Sequence, residues 1–199
     1  MLEWSRPYAV REAYVYAYDE AVETWGTGVL LRNLISFKCT PIHDTDRLPV
    51  YGRDEKGLSV LRGGDIELEL GGIQSDADAI MTGRTASLSG SGATEIRQRR
   101  VYSDRSLPYF ALAVAYKIQG IGDAHAYFPN LMLPSLMAVE AAEAAKFVRP
   151  KVTAMMFGLT QDDGTKYDLY YDPEFAAQKA LVTDWAAQLT ANTIGSPTS

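Results

Sequence analysis

Residues 63–83 read GGDIELELGGIQSDADAIMTG, and this stretch decides what kind of chain it belongs to. Asp65, Glu67 and Glu69 alternate with Ile66, Leu68 and Leu70, the period-two pattern of a strand with one buried and one charged face. Gly71 and Gly72 end that strand. Ser75 is placed to cap a short helix by accepting from the backbone N–H near Asp78, and Asp76 and Asp78 fall where the helix dipole favours anions. Ile73, Ala77, Ile80 and Met81 share one face of the helix, and Gly83 stands where a left-handed C-terminal residue is expected. The stretch therefore predicts a strand, a turn and an amphipathic helix in quick succession, a corner within a mostly β chain.

Upstream of the corner, residues 29–40 predict a single strand. Val29, Leu31, Ile35, Phe37 and Cys39 fall on one face, and Arg32, Ser36, Lys38 and Thr40 on the other. Earlier still, Ala13, Val15 and Ala17 alternate with Tyr14, Tyr16 and Tyr18, a strand whose aromatic face serves either docking or plain core. Residues 1–10 or so read as an arm, with Trp4 and Tyr8 as its anchors on another surface and Pro7 preventing regular structure. Between these strands and the corner, residues 41–58 (PIHDTDRLPVYGRDEKGL) form a long polar loop around an apolar knot, Leu48, Pro49, Val50 and Tyr51. Loops of this length in compact domains are functional or disordered. A solvated loop has no need of adjacent Leu, Val and Tyr, so contact with another subunit is expected, the alternative being that the knot folds back on its own domain.

Downstream, Gly90-Ser91-Gly92 is followed by no P-loop lysine, and residues 82–92 read as a small, flexible connection. Residues 93–103 predict a strand with Glu95, Arg97 and Arg99 on one face; the arginines either lie opposite Asp65, Glu67 and Glu69 or face another chain. Residues 109–118 separate bulky from small side chains. Phe110, Leu112, Val114, Tyr116 and Ile118 oppose Ala111, Ala113 and Ala115, a face that a helix or second sheet can approach closely. Residues 124–133 return as the hairpin partner. The run at 138–147 is helix-forming by composition but flanked by strand-like sequence, and it stays ambiguous. Residues 152–159 and 165–171 predict a last hairpin through Asp163-Gly164. Asp172 then caps a terminal helix with Pro173 at its first position and Phe175, Val182, Trp185 and Leu189 as its stripe, and residues 192–199 are a flexible tail.

The 199 residues suit one domain, with 47% hydrophobic and 22% charged residues, as in folded soluble proteins. A formal charge of −6 argues against a protein that wraps nucleic acid tightly, because it offers phosphate no general cationic footprint. The single cysteine, Cys39, excludes an intramolecular disulfide and a Cys-based zinc site. MLEWSRPYAV lacks the apolar core of a signal peptide, and no apolar run approaches the ~20 residues needed to span a bilayer, so synthesis and folding in the cytoplasm are expected. The two histidines, His43 and His125, lack partners at ligand spacing; His43 with Asp44 and Asp46 is the nearest approach to a metal site. The Asp76/Asp78 and Asp162/Asp163 pairs are accounted for by capping and turn formation. With no nucleophile elbow and Cys39 on an apolar strand face, neither an enzyme nor a bound cofactor or metal is expected.

What the residues do offer is a β-rich domain with an apolar-tipped loop, an aromatic arm and an acidic strand face. TWGTGVLLRNLISFKCTPIHDTDRLPVYG, followed by GGDIELELGGIQSDADAIMTG and the helix centred on Trp185, resembles the major tail (tail tube) protein of long-tailed bacteriophages. The resemblance spans most of the chain and rests on patterns of strands, loop and capped helix. It implies a mainly β fold, a sandwich or partly closed barrel of antiparallel strands, with one short flanking helix at Ser75–Thr82 and a C-terminal helix. It also implies hexameric rings stacked into the tube through which the genome leaves the head, a smooth tube because no further domain follows. Residues 41–58 would reach a neighbouring subunit or the next ring. The alanine-rich run at 138–147 departs from the family pattern.

On that reading the partners are copies of the chain itself, a tape-measure protein and tail-end proteins, with transient passage of double-stranded DNA and no membrane. The location would be the virion tail, assembled in the host cytoplasm. Leu48, Pro49, Val50, Tyr51, Trp4 and Tyr8 are the interface candidates. Asp65, Glu67 and Glu69 either line the lumen, where they would keep DNA phosphates from adhering, or pair with Arg97 and Arg99 within the chain. The competing readings are a small-ligand-binding β-barrel, which the many tyrosines would suit, and another virion component such as a head–tail connector.

Overall fold

The computed structural model describes residues 7–19, 24–50, 53–72, 74–84, 86–99, 106–118, 122–135, 149–157, 159–160 and 167–168. In chain order the elements are β1 (Pro7–Asp19), β2 (Thr24–Trp25), β3 (Val29–Leu30), β4 (Leu34–Val50), β5 (Arg53–Leu70), α1 (Ser75–Thr82), β6 (Ala86–Ser89), β7 (Ile96–Arg99), β8 (Tyr109–Ile118), β9 (Gly122–Met132), β10 (Lys151–Met156), β11 (Leu159–Thr160) and β12 (Tyr167–Asp168). The chain is mostly antiparallel β with one short helix, as the sequence leads one to expect. The main sheet runs β2-β1-β8-β9-β10-β5-β4, with β3 also paired to β1.

The sheet is organised by alternation. In β5, Ile66, Leu68 and Leu70 are buried while Glu67 is exposed and Asp65 and Glu69 are half-buried, as the period-two reading requires. Ile66, Leu68 and Leu70 join Phe110, Leu112 and Val114 of β8, Phe128 and Leu131 of β9 and Val152, Ala154 and Met156 of β10 in one continuous core. The sheet curls enough for Phe37 of the terminal strand β4 to meet Tyr116 and Phe128, with ring centroids 5.8 and 6.3 Å apart. Helix α1 closes this core from the side by inserting Ala77 and Met81.

β8 is buried on both faces. Its small side shelters two tyrosines: Tyr16 and Tyr127 lie directly across the ladders from Ala111 and Ala113, and their rings meet edge-on at 6.3 Å. Ala111, Ala113, Ala115, Tyr16 and Tyr127 form a second buried cluster, with Tyr14 and Trp25 packed against it. Three side chains without bulk leave the depth that two rings need. The tyrosine face of β1 is therefore core at Tyr16, whereas Tyr14 and Tyr18 remain half-buried.

Several expectations are corrected. The strand predicted over residues 29–40 is two elements, because Arg32 and Asn33 make a turn between β3 and β4. The Arg32 N–H donates to Gln74 Oε1 at 3.0 Å and the Asn33 carbonyl accepts from Gly71 N–H at 2.6 Å, so the turn is tied to the corner after β5. A register shift between Leu34 and Ser36 leaves Ile35 44% exposed instead of buried. Pro7 does not prevent regular structure; it opens β1 opposite Ile118, a position where a missing N–H is tolerated. Ser75 is not the cap of α1. Gln74 occupies that position with extended backbone and no side-chain cap bond, and its carbonyl accepts from Asp78 N–H at 2.9 Å. Gly83 ends the helix in the left-handed region at φ 66°, as expected.

Residues 82–92 hold strand β6, and β7 covers Ile96–Arg99 after a single 3₁₀ turn at Gly92–Thr94, the rest of the strand predicted over 93–103 lying outside the described residues from 100 on. Of the predicted last hairpin, Lys151–Met156 instead inserts as β10 between β9 and β5, while Leu159–Thr160 does pair forward, with Tyr167–Asp168. The run at 138–147, the terminal helix and the tail lie outside the described residues.

Candidate assembly surfaces

The largest departure from the sequence reading is at residues 41–58, which are not a loop. β4 continues to Val50 and β5 starts at Arg53, paired from Pro41↔Gly64 to Val50↔Arg53 with a two-residue connection. β10 accompanies β5 only from Gly64 to Glu69. Beyond that point, among the described residues, β4 and β5 have ladder partners only in each other. From His43 to Val50, at about 3.3 Å per residue, this two-stranded arm extends roughly 26 Å. The polar composition that reads as a loop is that of a two-stranded ribbon.

Leu48, Pro49 and Val50 stand at the end of the arm, opposite Lys56, Asp54 and Arg53. Tyr51 and Trp4 lie outside the described residues, and Tyr8 falls within β1. The structure thus brings three of the six interface candidates together on one projecting hairpin. β4 is also the last strand of the main sheet, so its outer backbone edge from Leu34 onward has no ladder partner among the described residues. Ile35 and Ile42, 44% and 48% exposed, mark the same strand.

The acidic ladder has neighbours that the sequence reading missed. Asp65, Glu67 and Glu69 lie between Thr40, Lys38 and Ser36 of β4 on one side and Met155, Thr153 and Lys151 of β10 on the other. Arg149 Nη1 reaches Glu69 Oε1 at 3.3 Å, and Ser36 Oγ donates to Glu69 Oε2 at 3.2 Å. Pairing with Arg97 and Arg99 does not occur across the sheet, because β7 pairs with β6 in a separate hairpin that sets Arg97 opposite Leu88 and Arg99 opposite Ala86. The outer face of β10-β5-β4 is consequently a mosaic of both signs. Lys38 falls on the polar face of its strand in the sequence, whereas Lys151 precedes the strand expected over 152–159; the strand order shows which carboxylates the two adjoin.

Two polar groups sit where chemistry is often found, and both have structural surroundings. Asp78 is 1% exposed beneath α1, with Oδ2 3.5 Å from Arg84 Nη1, and Thr82 Oγ1 donates to the Asp78 carbonyl at 2.6 Å. Asp78 is therefore not the solvent-facing dipole partner that its place in the first turn suggests. Cys39 is half-buried with Sγ 3.8 Å from Met156 Sδ, and burial pushes its thiol pKa up, which lowers its thiolate fraction and reactivity. His125 is buried on the tyrosine side of β9, opposite Ala115, whereas His43 is exposed on β4, so the two are not neighbours in the sheet. Among the described residues, no cluster of three or more His, Cys, Asp or Glu side chains is arranged to hold a metal ion. No protein-family model matches the chain, and no curated protein matches it.

Proposed function

We propose that the protein is a self-assembling structural subunit of the tail-tube type, forming rings that stack into a hollow conduit for a phage genome. The observation that carries this reading is the β4–β5 arm. An isolated two-stranded hairpin is at best marginally stable in water, and among the described residues this arm has no third ladder partner and carries Leu48, Pro49 and Val50 at the end of its first strand. A neighbouring subunit supplies what the arm lacks: a surface for the tip and a third strand for its edges.

The open edge of β4 supports the same reading. A long strand edge with exposed Ile35 and Ile42 invites strand addition, and joining it to the next copy satisfies the backbone and removes an aggregation hazard. Made with the opposite, β2 end of the next copy's sheet, such a contact is heterologous and generates a ring where the rotation closes; the arm provides the second contact that stacks rings. A specific interface buries about 800 Å² per partner, within reach of an edge strand plus a hairpin arm. If the mosaic face lines the conduit, Lys38, Lys151 and Arg149 are each adjoined by carboxylates, so DNA meets no uncompensated cationic stripe.

Removing Leu48–Tyr51 tests the arm directly. Sedimentation velocity is expected to show the parent chain as large assemblies at high concentration and the shortened chain as a folded species no larger than a single ring. Normal long assemblies from the shortened chain would remove the arm from the account.

A further inference from the structure

The arm leaves the sheet at a fork built from two glycines. β10 pairs with β5 as far as Met156↔Gly64 and then turns away toward β9, where Phe157 N–H donates to the Asn130 carbonyl at 2.9 Å. A Cβ on Gly63 would stand 2.9 Å from the Met156 carbonyl oxygen. One on Gly64 would stand 2.8 Å from the Thr40 carbonyl oxygen and 3.1 Å from Pro41 Cα, and would also strike Met156 Cε. Only glycine lets three backbones converge so closely. Opposite Gly64, Pro41 has no N–H to give the ladder, and the next step, between Ile42 and His43, carries a register shift. The side chain filling the space over Gly64 is the thioether of Met156, unbranched and adaptable, with Cys39 Sγ on its far side. The third strand, a ladder donor, the regular register and two side chains are thus all lost within a few residues of one point.

We propose that the Gly63–Gly64 step is a pivot about which the arm turns as one two-stranded unit relative to the sheet. The two glycines supply the backbone freedom, Met156 follows the movement without opening a void, and β10 limits the swing on its side. The use of the pivot in subunit docking rests on the tube reading; its existence does not.

Pulsed electron paramagnetic resonance on the full chain, in a Cys39→Ala background and at a dilution where it sediments as a monomer, tests the pivot apart from assembly. Spin labels at Lys117 and Glu67 report the sheet, labels at Lys117 and Ser59 report arm against sheet, and labels at Asp44 and Asp54 report the arm alone. The expected result is an arm-to-sheet distance distribution about twofold wider than the other two, because the motion is confined to the step between Glu67 and Ser59. A Lys117–Ser59 distribution as narrow as Lys117–Glu67 overturns the pivot. A broad Asp44–Asp54 distribution overturns it equally, since the arm then does not move as a unit.

Discussion

Asp78 shows how local and tertiary demands compete at one residue. Its place in the first turn of α1 is that of a dipole-stabilising carboxylate, yet the helix lies against the core and buries it beside Arg84, whose side chain is 17% exposed. Removing one member of a buried pair leaves the other charge without its counter-ion, so Asp78→Ala is expected to cost about 2–3 kcal/mol, read as a lower urea midpoint at unchanged slope. Cys39 makes a kinetic prediction. Because burial raises its pKa, less thiolate is present near pH 8, and alkylation is expected to run more slowly than in the unfolded chain and to accelerate as the pH rises toward the thiol's raised value. Equal rates in folded and unfolded protein would contradict the position given to this side chain.

At the scale of elements, β8 and β9 were legible because their pattern is local. Bulky and small residues alternate strictly along 110–116, and both the strand and the burial of its alanine face follow from that alternation. Ala113→Leu is expected to cost about 1–3 kcal/mol in urea unfolding, since a larger side chain must displace Tyr16 or Tyr127. The β4–β5 arm was illegible for the converse reason. Residues 41–58 alternate poorly and read as loop by composition, while their pairing is set by β5 folding back along β4. The break at Arg32–Asn33 was also hidden, because the bond from Arg32 N–H to Gln74 crosses a long span of sequence. The partners of the acidic ladder depended on strand order, and β10 entering between β9 and β5 is a long-range event that no spacing announces.

For the whole molecule, the central claim is that its unfinished surfaces are meant for copies of itself. The body is complete by its own means: two buried clusters occupy the faces of the inner strands, and α1 seals the edge of the larger one. Among the described residues, the outer edge of β4 and the arm have no further ladder partner, and they are contiguous. Negative-stain electron microscopy of the purified, concentrated protein tests this most directly. The account predicts hollow rods or stacked rings with six-fold end views, and a solitary globular particle at every concentration would contradict it.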